Sequence, residues 1–482
     1  MPTVDDEPPA TPTPASDDAT RFAAADPAAA PERVAAEPAE VALTLDDQGP
    51  TDTDPSEVAV GRRRSRSGLL VAPLIILAAV LSSGPLPVIS ASLEDAAEFV
   101  RDLWSDPSGG PSPDPSAGPT SGSSAGPDGS TGPTSTPPPS TSARPVPSSS
   151  ADDYLLMPRA SLMALPTSGP AWEALRAVAD SDPGRADLRD QDDRHGVMTL
   201  AIALVHARTT EAGYRERARE EILEVIGTER RGTGNSILSL GRQLAAYVLA
   251  ADLIDLDGAD DEHFRAWLDG IRTEELGGHG RWRSLVATHQ DSANNWGAFA
   301  GASRIAASRY LGDTQDVENA ARVLAGFLGD RAAWGAFQPV DDSGSWACEP
   351  DRYTPVNPPC VREGIDLDGA IVRDIDRGGS LRWPPGDTGI DYTLESLQGL
   401  ILQAELLYQG GYGDAWSWSD SAIRRAALVV TASGQAGGEG WNPSEPSQHV
   451  PWLLNARYDL GLPTEPAGIG RAFGFTDWLY GD

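Results

Sequence analysis

Basic charge is scarce in this sequence. Lysine is absent, so all 37 basic side chains are arginine, against 71 aspartates and glutamates, and the formal net charge is −34. We attribute the missing lysine to codon usage rather than to function. General nucleic-acid binding needs a basic surface, so a chain this acidic argues against that class of function. The same charge bears on any polyanionic substrate.

Cysteine is almost as scarce, since Cys348 and Cys360 are the only two in the chain. They lie in one proline-rich stretch, form no Cys-x-x-Cys motif and have no group of histidines nearby, which argues against a redox or metal centre. In an oxidising compartment we expect them to form a disulfide, which would close a loop of about a dozen residues. His263, His279 and His449 show no metal-ligand spacing. We therefore expect neither a metal nor a cofactor.

The N-terminal part lacks what a folded core requires. Residues 1–60 contain one aromatic side chain, Phe22, and fourteen acids against two arginines. Such a segment buries too little apolar surface to offset the entropy cost of folding, so we predict that residues 1–67 form a disordered acidic tail. Residues 94–151 are mostly serine, proline, glycine, threonine and alanine, which is typical of an extended linker.

One long uncharged run, residues 68–93, separates these two segments. It exceeds the roughly 20 residues that a transmembrane helix requires. Four arginines within residues 62–66 precede it, and such a cluster keeps its side of a membrane cytoplasmic. We predict a single-pass signal anchor in the cell membrane, with residues 152–482 outside the cell. A cleaved signal peptide is the alternative, since Ser90-Ala91 resembles a small-residue cleavage site, and it too exports the C-terminal domain.

Residues 152–482 show helical periodicity and no convincing period-two strand pattern. Apolar stripes at helical spacing lie within residues 197–205, 218–226, 237–254, 264–271, 296–311, 317–328, 394–408 and 423–430. Strict repeats of fixed length are absent, which disfavours an ordinary solenoid. The pattern predicts an all-α fold of about eight to eleven helices in antiparallel pairs, as in an incomplete (α/α) toroid.

Residues 331–390 interrupt this helical pattern. Trp334, Trp346, Tyr353 and Trp383 are distributed along them. Long excursions in compact domains are usually either functional or disordered, and disorder does not favour so many large aromatic side chains. We predict a structured lid or rim over a cleft.

Two stretches of the exported domain resemble the alginate lyase family of (α/α)-toroid polysaccharide lyases. Ser292-Ala-Asn-Asn-Trp-Gly297 is similar to an Asn-Asn-His stretch that opens a cleft-facing helix in that family. Asp374-Ile-Asp-Arg-Gly378, followed by Asp391-Tyr-Thr-Leu394, is similar to the family's acidic-x-x-Arg-Gly segment and its helix-opening Tyr-x-Leu. The resemblance spans residues from about Tyr154 to the end, and the order and separation of the two stretches strengthen it.

The resemblance implies that a uronate-containing polysaccharide is cleaved by β-elimination, with no metal. The proton beside the carboxylate becomes acidic only when donors neutralise the carboxylate. A side chain must then take that proton, and a tyrosine can return one to the leaving oxygen. By resemblance Asn295 and Arg377 neutralise the charge, Asn294 supports them, and Tyr392 is the acid or base.

The sequence departs from the family at its histidine, because Trp296 stands in that place. The usual general base is therefore missing. His289 reaches the site only if its loop folds back, and otherwise Tyr392 serves as both base and acid in a syn elimination. Trp296, His289 and Arg382 are the further predicted substrate contacts, although Trp296 also suits a core position.

The motif residues also have structural explanations. Asn294 is a good helix N-cap, since the apolar pattern starts just after it. Arg377 could pair with Asp374 or Asp376 on the surface, and Tyr392 could simply pack.

Two other functions remain open. A glycoside hydrolase on the same toroid needs two carboxylates, for which Asp366, Asp368, Asp374 and Asp376 are candidates. A catalytically silent module would bind cell-wall or capsular glycan, and the missing histidine favours it. The acidic charge favours both over a polyuronate lyase, unless four arginines concentrate in a positive cleft: Arg352, Arg373, Arg377 and Arg382.

Overall fold

The computed structural model describes residues 153–230, 235–278, 281–339, 345–441 and 446–481. The predicted tail (1–67), signal anchor (68–93) and linker (94–151) lie outside these residues. Within the described ranges, no helix is both long and apolar enough to cross a membrane. The described residues are mostly helical, which confirms the all-α prediction.

Fourteen α-helices form in the described residues. They are α1 Arg159–Ala164, α2 Pro170–Asp180, α3 His195–Thr209, α4 Ala212–Glu224, α5 Ser236–Leu253, α6 Gly258–Ile271, α7 Leu285–Asp291, α8 Asn295–Leu311, α9 Thr314–Leu328, α10 Val372–Ile375, α11 Asp387–Gln409, α12 Trp418–Gln435, α13 His449–Tyr458 and α14 Thr476–Tyr480. Short 3₁₀ turns lie at Thr228–Arg230, Pro350–Arg352, Asp376–Gly378, Ala415–Ser417 and Pro446–Gln448.

Four of the long helices, α3, α5, α8 and α11, are buried along most of their length. In α5 the apolar and small residues cover every face, and only Asp252 of its 18 residues is not buried. This pattern is typical of a helix surrounded by other elements. α5 contacts α3 and α8, and α8 in turn contacts α11. The four helices therefore form a buried row in chain order.

The amphipathic helices lie against this row. α4 contacts α3, α6 and α9 contact α8, and α12 contacts α11. In α9 the buried residues Val317, Ala320, Ala321, Leu324 and Leu328 recur at helical spacing, which gives one apolar face for α8. Buried and amphipathic helices thus alternate along much of the chain.

A glycine allows α8 and α11 to approach closely. A Cβ atom added at Gly399 of α11 would lie 2.4 Å from the backbone carbon of Ala298 in α8. No side chain fits that space, so Gly399 sets the distance between the two helices. The crossing brings the first turn of α8 beside the middle of α11.

The described residues also contain two short antiparallel hairpins, which the sequence did not predict. β1 Leu276–Gly278 pairs with β2 Arg281–Arg283, and β3 Val361–Arg362 pairs with β4 Ile365–Asp366. Strands of two or three residues are too short for a period-two pattern to appear. α11 also begins earlier than expected, at Asp387, because its first turns are polar and show no apolar stripe.

The described parts of residues 331–390 are structured, as predicted. Trp346 is buried, and its Nε1–H donates to the Gly379 carbonyl at 2.8 Å. Asn357 fixes the same region, since its Nδ2 donates to the Trp346 carbonyl at 2.7 Å. Cys348 and Cys360 are joined by a disulfide, which confirms that pairing. The lid or rim role stays a prediction.

Candidate functional site

Two adjacent asparagine side chains are buried where α8 begins. Asn294 is 5% exposed and Asn295 is 1% exposed. Asn294 occupies the N-cap position, but its side chain makes no capping hydrogen bond, which removes the N-cap explanation. No hydrogen bond within the described residues reaches Oδ1 of either amide. An unsatisfied buried polar group costs about 1–3 kcal/mol, so two in succession call for a functional explanation.

Asp374 connects this helix start to two other elements. Its side chain is fully buried. Oδ1 accepts a hydrogen bond from the backbone N–H of Asn295 at 3.4 Å, and Oδ2 accepts one from the Ser396 hydroxyl. Burial raises the pKa of Asp374 to about 7, although both hydrogen bonds oppose that rise. The carboxyl group thus holds α8, α10 and α11 together at one point.

Arg377 and Tyr392 form a stacked pair beside this junction. The guanidinium carbon of Arg377 lies 4.0 Å from the centroid of the Tyr392 ring, within the range of a cation–π contact. Both side chains are half-buried. Burial lowers the pKa of Arg377, and Tyr392 opposes that change. Tyr392 and Ser396 lie one turn apart on one face of α11.

A second close approach holds the start of α11 against the segment that carries Arg377. A Cβ atom added at Gly389, in the first turn of α11, would lie 2.4 Å from the Ile375 carbonyl oxygen. The start of α11 therefore lies directly against residues 374–378. Through Asp374 and this contact, the backbone of Asn295 lies against the segments that carry Arg377 and Tyr392. We call Asn294, Asn295, Arg377 and Tyr392 the motif group.

The other predicted substrate contacts lie differently. Trp296 is half-buried and packs against the core, so its position agrees in part with the core role that the sequence also suited. Arg382 is exposed. A Cβ atom added at Gly386, just before α11, would lie 3.0 Å from Nη2 of Arg382, which places that guanidinium beside the helix start.

The structure corrects the prediction for His289. Its stretch forms helix α7 instead of a loop that folds back. The ring is 1% exposed, and Nδ1 lies 3.4 Å from Nη1 of Arg304, beyond the second turn of α8. Burial and Arg304 lower the pKa of His289 well below its usual value. The ring is therefore buried and neutral beside Arg304.

The carboxylates considered for hydrolysis are engaged within the protein. Asp368 forms an ion pair with Arg425. Asp366 accepts a hydrogen bond from the backbone N–H of Asp368 at 3.0 Å. Asp374 is fully buried in the helix junction. The structure therefore offers no exposed pair among these three.

Sequence reasoning missed a group of charges next to Ser396, which we call the arginine cluster: Arg194, Arg242, Arg471, Asp192 and Glu395. Arg471 Nε lies 2.7 Å from one oxygen of Glu395, and Arg242 Nη2 lies 3.0 Å from the other. Arg471 also pairs with Asp192. Burial would raise the pKa of Glu395, but Arg471 and Arg242 hold it below its usual value.

The arginine cluster carries an excess of positive charge, since three arginines face two carboxylates. Burial, together with the nearby Arg471, lowers the pKa of Arg194 to about 10. Arg194 donates to the Gly470 carbonyl at 2.9 Å. Asp192 and Arg471 are 279 residues apart, so spacing in the sequence gave no signal for the cluster.

Comparison with known proteins adds no assignment. No protein-family model matches the chain, and no curated protein matches it. The resemblance to alginate lyases therefore remains a prediction that depends on the two motifs and on the geometry of the motif group.

Proposed function

We propose that the domain of residues 152–482 is an extracellular lyase, held to the cell membrane by the predicted signal anchor. It binds a uronate-containing polysaccharide on an incomplete (α/α) toroid and cleaves it by β-elimination. The alternation of buried and amphipathic helices supports the toroid. The observation that carries the proposal is that residues of two distant motifs meet at one junction, where Asn295 contacts Asp374 and Arg377 stacks on Tyr392.

The motif group has the chemical parts that the reaction needs. Amide and guanidinium donors from Asn295 and Arg377 neutralise the substrate carboxylate, so that charge developing on it is stabilised. In the proposed mechanism Tyr392, stacked under the Arg377 guanidinium, acts as its phenolate. The phenolate then takes the proton beside the carboxylate as the bond from carbon four to oxygen breaks. The resulting phenol returns that proton to the leaving oxygen, which restores the phenolate.

The arginine cluster answers the objection that an acidic domain repels a polyuronate. The potential that a polymer meets depends on the local arrangement of charge, and less on the net charge of the domain. Glu395 of the cluster precedes Ser396, which bonds to Asp374 of the junction. The excess positive charge therefore adjoins the motif group and suits further anionic units of the same polymer.

A second candidate is a catalytically silent glycan-binding module. It is favoured by one observation, that Trp296 replaces the family histidine while His289 faces Arg304. In that case the motif group binds a carboxylated sugar, but no side chain removes its proton. The glycoside hydrolase is less well supported, because Asp368 and Asp374 are engaged within the protein.

A scan of polymers distinguishes these functions. Purified full-length protein is mixed with polyuronates and with neutral glycans, and both binding and the ultraviolet absorbance of an unsaturated product are followed. A lyase gives rising absorbance with a polyuronate only. Binding of polyuronate without absorbance indicates the silent module, and new reducing ends from a neutral glycan indicate a hydrolase. No binding to any polyuronate would contradict the proposal.

A further inference from the structure

A second group of polar side chains lies where α3 begins and α4 ends. The side chains of His195, Glu221 and Glu224 each offer one ligand atom, and these atoms lie within 4.8 Å of one another. His195 is fully buried, and its Nε2 is 3.1 Å from Glu221 Oε2. Glu221 and Glu224 are three residues apart, so they share one face of α4. Imidazole and carboxylate groups in this arrangement are the donors that Zn²⁺ takes in proteins.

The other ring nitrogen of His195 is already held in place. Nδ1 lies 2.7 Å from the hydroxyl oxygen of the buried Tyr247. Metal-bound histidines nearly always donate their second N–H to such a partner, which fixes the ring and its tautomer. Burial raises the pKa of Tyr247, as do Asp193 and both glutamates, so the hydroxyl remains neutral. A neutral hydroxyl can accept the Nδ1–H, which leaves the Nε2 lone pair directed at the carboxylates.

The positive side chains near the group hold its carboxylates only weakly. Arg185 is 3.8 Å from Glu224, but its side chain is 92% exposed, so the pair is weak. Arg217 donates instead to the Ala179 and Ser181 carbonyls at 2.7 and 2.9 Å. A divalent cation bound between Glu221 and Glu224 would add positive charge directly beside both carboxylates.

We propose that His195, Glu221 and Glu224 form a binding site for one divalent transition-metal ion, with Zn²⁺ as the best match. Glu224 is 40% exposed, so the ion has a route in, and water can complete its coordination. The ion would clamp the start of α3 to the end of α4. The site is separate from the motif group and does not depend on the proposed function. The sequence alone gives no sign of this metal site, because His195 and Glu221 are 26 residues apart and match no sequence motif.

Zn²⁺ titration of the full-length protein tests the site. Tag-free protein is stripped with chelator and titrated with Zn²⁺ by calorimetry, and Co²⁺ absorbance reports the coordination. We expect one saturable Zn²⁺ per chain and a Co²⁺ spectrum of four- or five-coordinate geometry. Glu224→Gln should lower the Zn²⁺ affinity at least tenfold, and Tyr247→Phe by about 10- to 100-fold through the lost support of the ring.

Glu220→Gln is the matched control, because Glu220 is an exposed acid on the same helix outside the group. The Zn²⁺ affinity of Glu220→Gln should equal that of the unchanged protein. Circular dichroism verifies that each variant is folded, and Glu224 is exposed enough that its substitution leaves the core intact. If the unchanged protein binds no Zn²⁺, or Glu224→Gln binds as well as Glu220→Gln, then His195 and Glu221 form only a hydrogen-bonded pair and the proposal is overturned.

Discussion

Replacing Asp374 by asparagine should change how stability depends on pH. The folded-state pKa of this buried carboxyl is about 7, against a usual value of 3.8. Because the folded-state pKa is the higher one, the protonated form favours folding. This contribution is complete below about pH 4 and is lost as the pH rises through 7. Asp374→Asn cannot ionise, so it lacks this dependence.

The magnitude follows from the size of the shift. Each pKa unit corresponds to about 1.4 kcal/mol, so the rise from 3.8 to about 7 gives roughly 4 kcal/mol over the whole window. Between pH 5 and pH 8, the Asp374→Asn variant should gain about 2–3 kcal/mol in unfolding free energy relative to the unchanged protein. The pKa of Asp252 is also raised to about 7, but Asp252 is present in both proteins and cancels in the difference.

Urea denaturation at pH 5, 6, 7 and 8 measures this difference. Glu262→Gln is the control, because Glu262 is exposed near the start of α6. The unfolding free energies of Glu262→Gln and of the unchanged protein should differ by no more than about 0.5 kcal/mol at every pH. If the unfolding free energies of Asp374→Asn and of the unchanged protein differ by the same amount at every pH, then Asp374 does not have a raised pKa in the folded state, and this prediction is refuted.

Three further predictions concern the domain and its attachment. Replacing both Cys348 and Cys360 by serine should lower the unfolding free energy by about 3 kcal/mol, because the disulfide closes a loop with a sequence separation of 12. An unchanged midpoint of urea denaturation would contradict this prediction. The fully buried carboxylate of Glu405 pairs with Arg457. Glu405→Ala should therefore lower the unfolding free energy by about 3–5 kcal/mol in the same assay. A loss below about 1 kcal/mol would show that the pair contributes little to stability. Protease added to intact cells should release the folded domain and spare residues 1–67, and loss of that tail would reverse the predicted topology.

Periodicity located the long helices because burial sets the pattern directly. The predicted stripes at 237–254 and 317–328 coincide closely with α5 and α9. The early start of α11 could not be read in the same way. Its first turn contains Gly389, a poor helix former, whose role is to let the Ile375 carbonyl approach. That requirement comes from packing between distant segments and leaves no local signal.

The motif group and the arginine cluster show the same contrast. Asn295, Arg377 and Tyr392 could be named as candidates because short motifs surround them in the sequence. Glu395 and Arg471 meet only because the segment after α13 returns to α11, and no spacing encodes that contact. The expected loop around His289 is helix α7 instead, and its ring is buried beside Arg304.

The most direct test of the proposed lyase compares two tyrosines of α11. Arg457 lies 4.4 Å from the Tyr408 ring centroid, so Tyr408 matches Tyr392 in its stacking but lies near the other end of the helix. With a polyuronate substrate, Tyr392→Phe should lower the rate of unsaturated-product formation at least 100-fold while binding is nearly unchanged. Tyr408→Phe should keep the rate of the unchanged protein. Equal rates for both variants, or binding without product in the unchanged protein, would contradict a catalytic role for Tyr392.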